Sequence, residues 1–434
     1  MHPRRRTPQA LIAAALLALL AMTGTSAWCA TTDEDIATAT ALFASGRLDE
    51  AEALVIPLRR IDPPPLQVLF LSGAIALARG KYDDAAAEFR RMLTRDPTLL
   101  RPRLELARAL YLAGDYQTAR YHFEQVLSAP LPDAVRNNVL AYLFQIRERV
   151  PSLVLSLDFL YDSNPKQATS AQFIEIGGRL YRIADSSQAQ AAEGVLVTAY
   201  GKLPLPRDPS WFATAYLELF DFSGSNMDSS YAQALGGKNF NWGRHSVDVQ
   251  VGGHYATYQG NTLYTGPNWR VSDFVRLYPN VSLNVGLDAR DLEYEQFDYL
   301  SGWQYVASAE LHAALTPAQS LRGGISWIRD DAAEAPYAFQ GPAAFARYVH
   351  EWTGGWIGAL FARYSPLRFD APDPFFGVTR ADTELRFELA VTNRSLQYRG
   401  FAPRVTLGWV NHDSNIPIYA FQRTYVRLGV TKEF

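Results

Sequence analysis

The chain has 434 residues, with 41 Lys and Arg against 44 Asp and Glu, so its net charge at pH 7 is only −3. This balance argues against a nucleic-acid partner, which selects strongly basic surfaces. The single cysteine, Cys29, excludes an internal disulfide and a cysteine metal site. Hydrophobic residues reach 48%, yet beyond Met22 no unbroken apolar run approaches the roughly 20 residues of a membrane-spanning helix.

Residues 1–27 predict a secretory signal peptide. Three arginines at positions 4–6 precede an apolar run over 11–22, and small residues follow it. The run is too short to act as a membrane anchor, since a spanning helix needs roughly 20 apolar residues. Cleavage fits after Ala27 and also after Ala30, and either site places the mature chain outside the cytoplasm.

Residues 33–150 predict a periplasmic α-helical solenoid of tetratricopeptide (TPR) repeats, because glycine, alanine and proline recur at a period of 34 residues. In such a repeat the glycine permits a tight turn, the alanine permits close helix packing, the aromatic residue fills the gap to the next repeat, and the proline ends the second helix. The positions expected to carry this packing are Gly80, Tyr82, Ala85, Phe89, Pro97, Gly114, Tyr116, Ala119 and Phe123. The first repeat is degenerate, and a helix over about 133–150 is predicted to cap the array.

A TPR solenoid forms a concave surface that suits the binding of a peptide or protein. The sequence leaves open whether this groove binds a client or a chaperone. It also leaves open a spacer or a plug with no client of its own. No residue in this half has a catalytic pattern, and the client-binding residues are unknown.

Residues 151–434 predict a transmembrane antiparallel β-barrel, because the hydrophobic period changes to two. The polar faces of many strands carry full charges, which suit a wet lumen better than the core of a soluble sandwich. The apolar faces are then expected to face lipid. Tryptophans near predicted strand ends suit the interfacial girdles of a membrane protein. These are Trp211, Trp242, Trp303, Trp352 and Trp356. We therefore expect the cell outer membrane as the location, with outer-membrane lipid around the barrel.

Turn lengths predict the orientation and the number of strands. Short connections near 278–280, 316–318 and 392–395 are expected in the periplasm, and longer polar loops are expected outside. The longer loops cover 221–229, 293–300, 330–336, 368–379 and 412–418. A chain that enters and leaves the barrel from the periplasm needs an even strand number. The residues give about 15 candidates, so we expect about 14 strands and one over-assigned segment between Phe173 and Leu203.

The final strand carries a candidate signal for barrel closure and insertion. Arg427, Gly429 and Phe434 match a pattern with which barrel proteins often end, whereas Lys432 occupies a slot that is usually apolar. The last strand must pair with the first, because an open sheet edge is not tolerated in lipid. The departing lysine motivates the hypothesis of a lateral opening between these two strands, which an engineered crosslink should block.

The histidines do not indicate a catalytic or metal site. His254, His312, His350 and His412 lie in predicted strands, but no spacing with a serine and an acid singles out a triad. No pair of histidines has metal-ligand spacing with a carboxylate. We therefore expect no enzyme activity, no cofactor and no metal.

Several short motifs in the last quarter, with one at the first strand, give a specific resemblance. They are Asp373-Pro374-Phe375-Phe376-Gly377, Thr379-Arg380-Ala381-Asp382, Gly400-Phe401-Ala402-Pro403, Ser414-Asn415-Ile416-Pro417, Lys432-Glu433-Phe434 and Asp162-Ser163-Asn164. In this order they resemble the surface lipoprotein assembly modulator (Slam) family over nearly the whole mature chain. The resemblance implies a periplasmic TPR domain on a 14-stranded barrel that translocates surface lipoproteins or related secreted clients. It also implies delivery by a periplasmic chaperone and insertion by the barrel assembly machinery.

Three other functions stay open at the level of sequence. TPR-bearing barrels also export polysaccharide, although usually with longer arrays, and a strongly charged lumen would favour that role. An outer-membrane enzyme of the lipase or deacylase type would need a triad at the barrel rim. A passive porin for small solutes, tethered to a TPR array, would have no client at all.

Overall fold

The computed structural model describes residues 29–434 except 170, 177, 224–226, 399–400 and 432–434. The predicted signal peptide over residues 1–27, Gly400, and the closing residues with Lys432 and Phe434 lie outside the described residues. The chain divides into two compact units, the first ending at Asp115 and the second beginning at Tyr116. No helix among the described residues is both long and apolar enough to cross a membrane.

The first unit consists of paired antiparallel helices. They are α1 (Cys29–Ala44), α2 (Leu48–Leu58), α3 (Leu66–Ala78), α4 (Tyr82–Arg95) and α5 (Leu100–Ala113). Gly80 and Gly114 have φ values of +75° and +86°, a left-handed backbone that glycine adopts without steric cost. Ala85 and Phe89 are fully buried. A Cβ atom on Gly73 would lie 2.9 Å from the Phe89 ring, so α3 and α4 approach closely only because that position is glycine.

The second unit opens with two helices, α6 (Tyr116–Val126) and α7 (Asp133–Arg149). Ala119 and Phe123 are fully buried. The Phe123 ring stacks on Tyr142 of α7 at a centroid distance of 4.9 Å. The last two helices of the predicted TPR array therefore belong to the unit that holds the barrel.

Fourteen strands form a closed antiparallel barrel, so the predicted fold class is confirmed. The strands are β1 (Ser152–Asp162), β4 (Ala192–Pro204), β5 (Trp211–Phe222), β6 (Ser229–Trp242), β7 (His245–Tyr258), β8 (Asn261–Tyr278), β9 (Val281–Tyr294), β10 (Gly302–Thr316), β11 (Gln319–Ala332), β12 (Phe339–Glu351), β13 (Trp356–Pro372), β14 (Thr379–Asn393), β15 (Ala402–Ser414) and β16 (Phe421–Thr431). Each pairs with its chain neighbour in this series, and β1 also pairs with β16. The over-assigned segment is a separate hairpin of β2 (Phe173–Ile176) and β3 (Arg179–Arg182).

The strands place their apolar side chains outward and their polar side chains toward the lumen. On β1, Leu153 and Phe159 are 61% and 64% exposed, whereas the alternating Asp158 and Asp162 are buried. An apolar outer face and a polar interior are the pattern of a barrel in lipid. This arrangement gives the chain a water-compatible path through a membrane.

The two rims differ in the length of their connections. The predicted short turns near 279–280, 317–318 and 394–395 all lie at the rim where α7 leads into β1, here called the helix-side rim. The predicted longer loops all lie at the opposite rim, here called the far rim. Four of the five predicted girdle tryptophans lie at the helix-side rim, with roughly half of each side chain exposed. They are Trp211, Trp242, Trp352 and Trp356.

Candidate functional site

The lumen wall is lined by paired charges and polar groups. Arg270 of β8 donates from Nε to the Asp288 carboxylate of β9 at 2.8 Å and from Nη2 to Gln233 of β6 at 3.2 Å. Asn268, which is fully buried, accepts from Gln233 at 2.6 Å. Such a network satisfies polar groups across three strands without closing the lumen with apolar side chains.

Helix α6 contacts the barrel wall through Tyr121. Its hydroxyl donates to the carboxylate of Glu351 at the end of β12. Glu351 is buried and also accepts from Arg394, at 3.2 Å, in the turn after β14. The Arg394 guanidinium lies 5.1 Å from the centroid of the Tyr121 ring, so the three side chains form one contact.

Glu124 is the second anchor of α6. Arg120, one turn earlier, donates to its carboxylate at 2.9 Å, and His312 of β10 lies 3.8 Å away. Burial by itself would raise the pKa of Glu124, but the positive groups of Arg120, His312 and Arg276 outweigh it and lower the pKa. Glu124 is therefore a half-buried carboxylate held in its ionised form against the wall.

Helix α7 contacts the wall on other strands. The Arg147 guanidinium lies 3.8 Å from the centroid of the Phe274 ring of β8 and donates to the Ser246 carbonyl of β7 at 3.1 Å. Lys202 of β4 donates in turn to the Arg147 carbonyl at 3.2 Å. Helices α6 and α7 thus bind β4, β7, β8, β10 and β12 near the helix-side rim, and we call this helix pair the plug.

Sequence reasoning missed these anchors. Arg120 and Glu124 stand four residues apart, which in sequence predicts an ordinary pair on an exposed helix face. Tyr121 and Glu351 are separated by 230 residues, so no local pattern connects them. Their role follows only from the position of the plug in the barrel.

Four of the six motifs that carry the family resemblance lie at the far rim. In the loop after β13, the Asp373 carboxylate accepts from the backbone of Phe375 at 2.8 Å and of Phe376 at 3.1 Å. It also accepts from the hydroxyl of Tyr419, in the loop before β16, at 2.9 Å. Burial and this carboxylate raise the pKa of Tyr419 to about 12, which keeps the phenol a donor.

A second set of contacts ties the same loops to the strand ends. Asn415 accepts from the backbone of Ala381 at 2.8 Å and donates to the carbonyl of Thr379 at 2.9 Å. Arg380 pairs with Asp382 at 2.6 Å and lies 3.6 Å from the centroid of the Tyr419 ring. We call these two loops with their contacts the rim brace. It fixes the loops beside the meeting point of the last and first strands.

The seam between β1 and β16 is fastened from the lumen. Its described pairing runs from Ser156 opposite Thr431 to Asp162 opposite Tyr425. Arg404 of β15 lies 3.4 Å from Asp158, and Arg423 of β16 donates to Asp162 at 2.7 Å. Opening this seam therefore requires the loss of ion pairs as well as backbone hydrogen bonds.

The residues of the predicted closure signal lie in this seam where they are described. Arg427 faces the lumen and lies 3.4 Å from Glu388 of β14. A Cβ atom on Gly429 would overlap the Asp158 carboxylate, so glycine permits the close approach of β16 to β1. Phe434 lies outside the described residues, and the role of these residues as an insertion signal stays a prediction.

The four strand histidines lie in separate environments. His412 bonds to Asp382 at 3.1 Å, His312 faces Glu124, and His350 lies 3.0 Å from Gln319. His254 is considered below. Among the described residues, no group of three His, Cys, Asp or Glu side chains is placed to hold a metal ion.

A family model described as "Surface lipoprotein assembly modifier" matches residues 155–434, and a tetratricopeptide repeat model matches residues 76–136. The Pasteurella multocida protein of the same description is 22% identical over 86% of this chain and 77% of its own length. Surface lipoprotein assembly modifier 1 of Haemophilus influenzae is 22% identical over 89% of this chain and 82% of its own length. The outer-membrane channel DcaP of Acinetobacter baumannii superposes with a TM-score of 0.39 at 8% identity, over 65% of this chain and 97% of that one.

The model match covers most of the barrel, including the seam and the rim brace, and the resemblance predicted from the motifs is thereby confirmed. A closed barrel with an apolar outer face suits lipid and not the cytoplasm. The chain belongs to the surface lipoprotein assembly modifier family and is an outer-membrane protein.

Proposed function

We propose that this protein translocates surface lipoproteins, or related secreted client proteins, across the outer membrane. The observation that carries the proposal is a closed barrel with a charged lumen whose helix-side mouth holds the plug, in a chain of this family. A polypeptide needs a polar path through lipid, because each unpaired backbone group in hydrocarbon costs several kcal/mol. The lumen supplies that path. The role is transport and not catalysis.

A lipidated client sets a second requirement. Its acyl chains favour lipid by about 0.8 kcal/mol for each CH₂ group, so they gain nothing from a wet lumen. The polypeptide therefore travels inside the barrel while its lipid anchor stays in the bilayer, and the wall must open between the two. The seam between β1 and β16 is the candidate opening, since it joins the two ends of the sheet.

The remaining parts of the proposal concern location and partners. Residues 1–27 direct export from the cytoplasm, and the helices over 33–150 lie in the periplasm. Their groove receives the client or the periplasmic chaperone that delivers it. The barrel assembly machinery inserts residues 151–434 into the outer membrane. The short helix-side turns and the long far-rim loops support this orientation.

Surface display tests the proposal. The chain is co-expressed with a lipoprotein encoded by a neighbouring gene in a laboratory Gram-negative host, and protease is added to intact cells. We expect the lipoprotein to be degraded only when this chain is present, while a periplasmic marker protein stays intact. A lipoprotein that stays protected beside a correctly inserted barrel contradicts export of that client and favours a polysaccharide route or a passive pore.

A further inference from the structure

We propose that the lumen carries a two-sided track that binds an extended acidic segment of the translocated polypeptide. One side is the arginine wall, formed by Arg322, Arg347, Arg363 and Arg386 on β11 to β14. The other side is the aromatic arc, formed by Tyr216, Tyr231, His254, Tyr264 and Tyr294 on β5 to β9. The proposal rests on the proposed function and names the chemistry of the client that the lumen accepts.

The arginine wall places like charges directly opposite each other. Arg322 of β11 is the register partner of Arg347 of β12, and Arg363 of β13 is the register partner of Arg386 of β14. Like charges in directly opposed strand positions destabilise a sheet. The opposed arginines therefore repel each other, and a bound carboxylate would relieve that repulsion.

The wall faces the lumen, and two of its four arginines lie beside a glutamate. The alternating neighbours Leu321, Leu360 and Phe387 are 40%, 57% and 46% exposed on the lipid side. Arg322 lies 3.2 Å from Glu310, and Arg386 lies 3.2 Å from Glu384.

Arg363 is the least compensated member of the wall. It forms no ion pair within the part of the chain that the structure describes, and its side chain is exposed. Guanidinium groups bind carboxylates through two parallel hydrogen bonds, so this wall suits an acidic ligand.

The aromatic arc is continuous across five strands. Ring centroids are separated by 6.0 Å from Tyr216 to Tyr231, 6.3 Å from Tyr231 to His254, 5.6 Å from His254 to Tyr264 and 5.1 Å from Tyr264 to Tyr294. Aromatic rings bind many side chains without requiring a particular sequence. The arc therefore suits a chain that moves past it.

His254 supplies an independent indication of a ligand. It is 4% exposed, and neither ring nitrogen has a hydrogen-bond partner among the described residues. A buried polar side chain without partners is unfavourable and calls for a physical reason. The peptide groups of a bound chain would supply the missing donor or acceptor.

The central strands of the two sides lie on opposite halves of the barrel. In the ring of 14 strands, β5, β6 and β7 lie seven positions from β12, β13 and β14, which is half the circumference. An extended chain in the lumen thus meets arginines on one side and rings on the other. Charge complementarity selects acidic segments, and the open rings tolerate the residues between them.

Peptide binding to the full-length protein in detergent micelles tests the track. The probes are fluorescein-labelled peptides of alternating Glu and Gly, and of alternating Lys and Gly, followed by fluorescence anisotropy. We expect the Glu peptide to bind and the Lys peptide not to bind. R347Q/R363Q should weaken the Glu peptide roughly tenfold or more, whereas R207Q/R244Q, which removes two exposed arginines from helix-side turns, should leave binding unchanged.

A matched pair of substitutions tests the aromatic arc. Tyr264→Leu should weaken the Glu peptide, whereas Tyr255→Leu, which changes a lipid-facing tyrosine that is 44% exposed, should not. Equal affinities in both variants would overturn the role of the arc. In the Glu124→Gln variant the plug is weakened. A Glu peptide that binds neither the wild type nor this variant would overturn the whole proposal.

Three further results distinguish this inference from a glycan ligand and from the proposed function. Labelled polygalacturonate that binds through the arginine wall while the Glu peptide does not would overturn the polypeptide ligand and favour an anionic glycan. Peptide binding without surface display of any client would contradict the proposed function and leave the track intact. If the R347Q/R363Q variant displays the client and binds the Glu peptide as tightly as the wild type does, the track is overturned and the proposed function stands.

Discussion

Single buried charges hold the plug against the barrel wall. Glu124 joins Arg120 of its own helix to His312 of β10, and Glu351 joins Tyr121 to Arg394. Charged groups in such a setting are stabilised only while their partners stay, since the loss of one leaves another unpaired. Contacts of this ionic kind can be released without exposing a hydrophobic surface.

Substitution of Glu124 should loosen the plug. Glu124→Gln removes the negative charge between Arg120 and His312, and we expect docking of α6 to weaken by about 1–3 kcal/mol. The measurement is the rate at which a maleimide labels a cysteine introduced on α6. Glu50→Gln, in an exposed pair with Arg47 in the first unit, is the control and should leave the rate unchanged. Equal labelling of both variants would contradict the role of Glu124.

Gly429 is the residue on which the close approach of β16 to β1 depends. Gly429→Ala would force the Asp158 carboxylate or the Leu157 carbonyl to move, so we expect a loss of about 1–3 kcal/mol in barrel stability. The temperature at which the folded band disappears in a gel-shift assay reports this loss. Gly236→Ala is the matched control, because its nearest neighbour would lie 4.0 Å from the new Cβ atom. A normal transition in Gly429→Ala would show that the seam relaxes freely.

At the scale of elements, contacts at the strand ends determine which loops and strands of the barrel can separate. The rim brace locks the loops after β13 and before β16 through Asp373, Tyr419 and Asn415. The seam beside it is fastened by ion pairs of Arg404 and Arg423 with the buried carboxylates of Asp158 and Asp162. A buried carboxylate that loses its arginine is left uncompensated, so the seam separates only where water or another cation takes the place of that arginine.

A disulfide across the seam tests the lateral opening. Leu157→Cys with Val430→Cys joins opposed positions of β1 and β16. Val405→Cys with Leu428→Cys joins opposed positions of β15 and β16 and is the control for a crosslink of the same kind. We expect oxidation to stop surface display in the first pair only, with recovery under a reductant. Continued display with the seam crosslinked would rule out lateral release.

At the scale of the whole molecule, the division after Asp115 separates the plug from the helices before it. The plug shares its compact unit with the barrel, whereas α1 to α5 form a unit with their own core around Ala51, Val55 and Ile75. The helices predicted as one periplasmic array thus belong to two compact units. We expect the first to engage clients and the second to control the mouth.

Two truncations distinguish these roles. Removal of residues 33–115 should leave a folded, inserted barrel that no longer displays clients and still shows low conductance in a planar bilayer. Removal of residues 33–150 also deletes the plug, so conductance should rise because the helix-side mouth is uncovered. Equal conductance in the two truncations would contradict closure by the plug, and display that survives the shorter truncation would contradict client engagement by α1 to α5.

The sequence by itself determined the class of each half, because periodicity is local. A 34-residue period with glycine at 46, 80 and 114 predicts paired helices, and a period of two with charged polar faces predicts strands in lipid. Parity reduced 15 strand candidates to 14, and the order of the short motifs indicated the family. The signal peptide, the periplasmic side and the TPR packing roles stay predictions.

Only the tertiary structure decided which of these residues meet. The plug anchors join residues as far apart as Tyr121 and Glu351, and the brace joins Asp373 to Tyr419 across two strands. The arginine wall and the aromatic arc lie on opposite halves of the barrel only because the sheet closes on itself. Closure fixes distances between strands that are remote in the chain, and no local pattern of residues records them.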